Sequence, residues 1–251
     1  MSNALTKANI NLYAILRNIE DLCILDEEMK LLIQDTNLII KFIVKNGPEG
    51  YLLFKKGKCK FETKKQKSNI TLYFKSPNHF NEMIDGRANP ILLKGLTKIK
   101  FLKNEFITLS DRLSYYLKPT KELLESPTYL KINTLLTVYT AFYALAQIGN
   151  TDPVGKLNAK RIPNGTINIS VNNQAPAINL TINNGNILVN KGLASNYRAS
   201  MTFSSITVAN KILNGEVDTY SCLATEKLQM KGFIPMLDNM NKLLGQVPSY
   251  L

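Results

Sequence analysis

The sequence predicts an α+β protein built from two tandem modules, each a mainly antiparallel five-stranded sheet covered by helices. Three observations predict it. The chain has 251 residues, room for two domains of ordinary size. The segment from Ile70 to Lys103 lies without a gap on the segment from Ala199 to Gly232, at a constant offset of 129 residues. Apolar periodicity also switches between two and 3.6 in the same order in both halves.

The first module opens on a helix marked by Leu12, Ile15, Leu16, Ile19, Leu22 and Cys23. Three strands follow, in residues 39–45, 50–57 and 58–63, broken at Asn46-Gly47-Pro48 and at Gly57. A fourth strand alternates Ile70, Leu72 and Phe74 inward with Thr71, Tyr73 and Lys75 outward. A short helix entered through Ser76-Pro77 stops at Gly86, where glycine can take positive φ. Lys98-Ile99-Lys100-Phe101 reads as a fifth strand with its lysines outward, and a helix closes the module.

The second module repeats this order. Leu135, Val138, Tyr139 and Phe142 mark its first helix, and residues 165–172, 177–185 and 186–192 are strands, the last two joined by an Asn184-Gly185 hairpin. Ala199, Met201 and Phe203 repeat the inward residues of the fourth strand. The next helix enters through Ser204-Ser205 and stops at Gly215, and Lys227-Leu228-Gln229-Met230 forms the fifth strand. The closing helix carries the clearest amphipathic stripe of the chain: Phe233, Met236, Leu237, Met240, Leu243 and Leu244, with Pro235 tolerated in the first turn. The modules are expected at residues 1–120 and 128–251, with a linker near Pro119 to Pro127.

The formal charge of +12 raises nucleic acid or an anionic membrane as partners, but the excess is spread over both halves. It concentrates only at Lys55, Lys56, Lys58, Lys60, Lys64, Lys65 and Lys67. On a hairpin these lysines are a solvated face that discourages edge pairing, or a patch that meets anionic lipid headgroups transiently. No motif for sequence-specific nucleic-acid recognition accompanies them. Cys23, Cys59 and Cys222 are too scattered for a disulfide framework and have no nearby histidine for zinc. The single histidine, His79, stands at a helix start without a nucleophile motif, and no phosphate-binding loop or HExxH is present. The expectation is therefore no enzyme, no cofactor and no metal. No window holds the roughly 18 apolar residues of a membrane span, and no signal peptide is evident, which reads as cytoplasmic.

The order of elements, and above all the run Met201 to Phe203, Gly215-Glu216-Val217-Asp218, Lys227 to Gly232 and Phe233 to Leu244, resembles the sterol carrier protein type 2 family. The second module is closer to the family pattern, although Glu226 and Phe233 stand where the family has a glycine and a polar residue. In the first, Asn89 replaces the acidic residue and Leu102-Lys103-Asn104 the close of the strand. The resemblance implies a curved sheet and helices enclosing an apolar tunnel for a fatty acyl chain, sterol or similar lipid. Met201, Phe203, Ile212, Leu228, Met230, Phe233, Met236, Leu237, Met240 and Leu244 are then the candidate lining. Periodicity alone assigns the same residues to ordinary core, so a second reading is a pair of interaction modules with filled interiors.

Overall fold

The computed structural model describes residues 2–172 and 174–251. The chain divides into two units, Met1–Lys118 and Pro119–Leu251. In the first, α1 (Ser2–Ile10) continues through a π-helical turn (Asn11–Ile15) and a 3-10 turn into α2 (Ile19–Leu25), and α3 (Glu27–Leu32) follows. Then come β1 (Asn37–Val44), β2 (Glu49–Lys55), β3 (Lys58–Glu62), β4 (Ile70–Phe74), α4 (Pro77–Ile84) and β5 (Ile91–Lys94). The unit ends with α5 (Ile99–Phe101), a second π-helical turn (Leu102–Phe106) and α6 (Ile107–Leu117).

The second unit runs α7 (Lys121–Leu124), α8 (Pro127–Thr151), α9 (Pro153–Lys160), β6 (Gly165–Val171), β7 (Gln174–Asn183), β8 (Asn186–Lys191) and β9 (Ala199–Phe203). It ends with α10 (Ile206–Leu213), α11 (Thr219–Ala224), β10 (Leu228–Gly232) and α12 (Ile234–Leu244). The sheets are ordered β3-β2-β1-β4-β5 and β8-β7-β6-β9-β10, the same topology twice. The α+β class and the two five-stranded sheets are as the sequence predicts.

The repeat holds to single residues at the one parallel pairing of each sheet. Ile40 to Val44 face Ile70 to Phe74, and Ile167 to Val171 face Ala199 to Phe203, five partners in each. The flanking bonds match as well. Asn69 N donates to Ile39 O (2.9 Å) and Arg198 N to Thr166 O (2.8 Å), while Lys45 N and Asn172 N donate to Phe74 O and Phe203 O (3.0 and 2.7 Å). The short helices that follow are capped alike, with Ser76 Oγ accepting from His79 N and Ser205 Oγ from Val208 N, both at 3.2 Å. Alternation puts Ile167, Ile169 and Val171 of β6 and Ile178, Leu180 and Ile182 of β7 on the buried inner face.

A buried amide pair ties the helical segment ahead of the sheet (the turn after α1, or α8) to the short helix α4 or α10 in each unit. Asn11 Nδ2 donates to Asn81 Oδ1 at 2.9 Å, and Asn210 Nδ2 to Asn133 Oδ1 at 2.6 Å. Asn81 and Asn210 each donate a further bond, to Ala4 O and Thr134 Oγ1, both at 3.0 Å. Amides sit among aliphatic side chains at no great cost once paired in this way, and they fix one helix register.

Two expectations are corrected. Lys98 to Phe101 is not a strand: Leu96–Lys98 is a 3-10 turn and Ile99–Phe101 is α5. The fifth strand of the first unit lies earlier, at Ile91–Lys94, so the gapless alignment fails beyond Gly86 and Gly215. The second unit spends the difference on α11, capped by Asp218, whose Oδ2 accepts from Ser221 N at 2.8 Å. The true counterpart of Lys231-Gly232 is Lys94-Gly95. Both glycines have positive φ, +107° and +85°, and a Cβ on either would meet the backbone beside β4 or β9, at Asn69 O and, more tightly, at Arg198 O. Lys-Ile-Lys-Phe imitates strand alternation over too few residues to separate the two periods. The segment expected as a linker carries α7, and α3, α9 and α11 likewise have no counterpart in the sequence pattern.

Gly232→Ala is expected to destabilise the protein by about 2 kcal/mol or more, from strained φ and the backbone clash together. Gly215 also has positive φ, +71°, but a Cβ there meets nothing within 4 Å. Gly215→Ala should therefore cost only about 1 kcal/mol. Urea denaturation of the two variants checks this, and equal losses would contradict the assigned edge.

Candidate functional site

Of the ten candidate lining residues, four lie on β9 and β10, four on α12, Ile212 on α10, and Phe233 just before α12. Met201 sits opposite Met230 and Phe203 opposite Leu228. Helix α12 packs against β9, α8 and α9. Met201, Phe203, Leu228, Met236, Leu237 and Met240 are buried, and Leu243 joins them. Ile212, Met230 and Leu244 are half-buried and Phe233 is exposed, so four of the ten form a rim and six the closed interior. At the rim the Arg198 guanidinium lies over the Phe233 ring, 4.8 Å from its centroid.

The equivalent interior of the first unit is filled differently. Phe101 of α5 packs edge-on against Phe54 of β2, with ring centroids 5.3 Å apart. Phe106 meets Phe42 at 6.2 Å, Phe80 meets Phe74 at 4.8 Å, and Tyr13 meets Phe61 at 5.9 Å. Interlocked rings have few rotamers and fixed geometry, whereas thioethers turn about three bonds and refill irregular space. The two interiors thus share a topology and differ in filling.

A latch that the sequence reading missed holds the end of each unit. Asp26 breaks the helix after α2 and caps α3, its Oδ1 accepting from Glu28 N at 3.0 Å and Met29 N at 3.3 Å. Its Oδ2 accepts from Tyr116 OH of α6 (3.1 Å) and from Arg112 Nε (2.6 Å). In the second unit Asp152 caps α9 through Gly155 N (2.8 Å), and its Oδ2 accepts from Tyr250 OH at 2.9 Å. An Asp before a helix is a legible cap signal, but its tyrosine partner lies roughly a module away in sequence and left no local mark. Burial opposes the Asp26 charge, yet the bonds from Arg112, Met29 and Tyr116 outweigh it and hold the carboxyl below its ordinary value. Burial and the neighbouring aspartates push Tyr116 and Tyr250 up to about 12.

The chain is similar to solved sterol carrier protein structures. It shares 15% identity with the UbiJ-SCP2 ubiquinone synthesis protein, covering 45% of this chain and 96% of that one, at a TM-score of 0.35. With sterol carrier protein domain 2 of Helicoverpa armigera it shares 13%, covering 45% and 89%, at 0.37. With sterol carrier protein 2 from Yarrowia lipolytica it shares 20%, covering 47% and 96%, at 0.35. No protein-family model and no curated protein matches the sequence.

The remaining candidates fall outside this interior. All seven lysines between Lys55 and Lys67 are exposed, and Lys60 pairs with Glu62. His79 is engaged at both nitrogens: Nδ1 accepts from Lys75 N at 3.1 Å, which leaves Nε2 to donate to Asn89 O at 3.0 Å. It pins the start of α4 to the entry of β5. The three cysteines are buried and unbridged, and burial raises the Cys59 thiol, with Cys23 beside it. An open cleft of about 470 Å³ lies apart from the candidate lining, bordered by polar groups such as Glu27, Lys30, Asp35 and Lys56. Among the described residues no helix is long and apolar enough to cross a membrane, and no cluster of three or more His, Cys, Asp or Glu could hold a metal ion.

Tyr116→Phe should lower stability at neutral pH by about 1 kcal/mol, the net worth of one buried hydrogen bond. The pH dependence has two signs. The depressed Asp26 contributes stability above the ordinary carboxylate value near 3.9, lost as pH falls through its folded value. The raised Tyr116 contributes below its ordinary value of 10.0, lost as pH rises through about 12. Urea midpoints measured against pH should show Tyr116→Phe flattening the alkaline limb. An unchanged limb would contradict the latch.

Proposed function

We propose that the chain is a non-enzymatic carrier that binds a lipid, such as a fatty acyl chain or sterol, and that the second unit holds it. On this reading both halves are sterol-carrier-like modules, and only the second keeps a ligand interior. The observation that carries the proposal is the difference in filling, ring packed on ring in the first unit against Met201, Met230, Met236 and Met240 beside Phe203 in the second. Removing a methylene from water contributes about 0.8 kcal/mol, so an adaptable apolar interior gains affinity for a long chain without specific polar contacts. Ile212, Met230 and Phe233 at the rim would be the mouth. Three buried, unbridged thiols suit a reducing compartment, so the cytoplasm is the proposed location. The exposed lysines from Lys55 to Lys67 add long-range attraction to anionic surfaces.

The second reading, interaction modules with filled cores, draws on the closure of the six innermost residues. Titration with a fluorescent fatty acid separates the two. The carrier reading expects saturable uptake, reduced by about an order of magnitude or more in Met230→Trp, which plugs the rim. Leu92→Trp, at the equivalent register of β5 opposite Leu72, should leave uptake unchanged. Absence of uptake by the wild type, with Met240→Trp losing about 1–3 kcal/mol through overpacking, would favour the filled core.

A further inference from the structure

We propose that the corner between β5 and α6 of the first unit is a docking surface for an anionic lipid bilayer. It is the segment where sequence and structure disagree most, and the disagreement turns apolar side chains outward. Leu93 lies at a register shift in the pairing of β5 with β4 and is 59% exposed. A bulge of this kind re-aims one side chain out of the ladder. Gly95, in left-handed backbone, swings the chain off the sheet and leaves Leu96 at the tip, 76% exposed, with Ile99 39% exposed behind it. A lone exposed leucine is ordinary, but three on one corner are not a scattered set.

Their surroundings identify the occupant. Lys98, Lys100 and Lys103 are exposed around them, and no acidic residue occurs from Ile91 to Asn104. Lys94 is held back by its bond to Ser68 O at 2.5 Å. A phosphate backbone would use the lysines and leave the leucines in water. An anionic bilayer uses both, with ammonium groups at the headgroups and apolar tips at the acyl boundary. The corner is backed by Phe101 packed on Phe54, so it is presented on a fixed base. The matching corner of the second unit, Phe233 and Ile234, has Lys227, Lys231 and Arg198 near it but also Glu226 and Asp238, so its charge is mixed where that of the first is purely basic. The proposal does not depend on whether the second unit carries a ligand.

Flotation of the full chain with vesicles tests it. The wild type is expected to bind vesicles of equal parts phosphatidylcholine and phosphatidylserine about tenfold or more tightly than pure phosphatidylcholine. Leu96→Ser/Ile99→Ser and Lys98→Glu/Lys100→Glu should each weaken that binding about tenfold, while the distant pair Lys64→Glu/Lys65→Glu changes it less. The chain has no tryptophan, so Leu96→Trp places a single reporter at the tip, and its emission should shift to the blue on mixed vesicles. Thermal melts establish that each variant is folded. Failure of the wild type to bind, or a loss for the Lys64 pair as large as for the corner, would overturn the proposal. So would binding untouched by Leu96→Ser/Ile99→Ser, which would mark the chain as a general polyanion binder that nucleic acid could satisfy equally.

Discussion

In both units the first strand runs parallel to the fourth, and a parallel pair cannot be closed by a tight turn. Two hairpins are built out on one side of the first strand, and the chain must then return across the sheet to reach the other side. In the second unit the returning loop is held over the outer face by asparagines. Asn168 donates to Ala194 O and accepts from Ala194 N, both at 2.9 Å, and Asn179 donates to Gly192 O at 3.0 Å. With the return path on the outside, the inner face is left to helices alone. The interior that those helices cover follows from that pairing.

What closes the interior is also shared. The paired asparagines fix the first helix against the short one, and an aspartate at the end of that first helix takes a tyrosine from the close of the unit. These polar bonds are few, and three of the four are buried, so they specify one arrangement while most of the contact area stays apolar. The side chains inside are then free to differ. Ring pairs fill the first interior, while methionines and aliphatic groups share the second with Phe142 and Phe203, so the filling differs without any change of fold.

Much of this was legible in the sequence because burial on one face imposes period two, as in Ile70 to Phe74 and Ala199 to Phe203, and because Ser76, Ser205, Gly86 and Gly215 have local conformational duties. The candidate interior was legible for the same reason: the α12 stripe must be buried against something. The fifth strand of the first unit was not. Ile91 to Lys94 is an edge strand with a bulge, so neither of its faces imposes a clean alternation, while Lys98 to Phe101 alternates by accident within a helix. The Asp–Tyr and Asn–Asn partners were invisible because nothing local links positions so far apart in the chain. How each interior is filled was invisible too, since it depends on how rings meet, which periodicity does not encode.

The central claim is that two modules of one fold provide a single ligand interior. Native mass spectrometry of the full chain, purified without detergent and then gently activated, measures this directly. The account predicts a population heavier than the bare chain by one apolar molecule, releasable on activation and extractable into organic solvent. Bare protein alone after incubation with mixed fatty acids and sterols, or two equivalent molecules per chain, would contradict it.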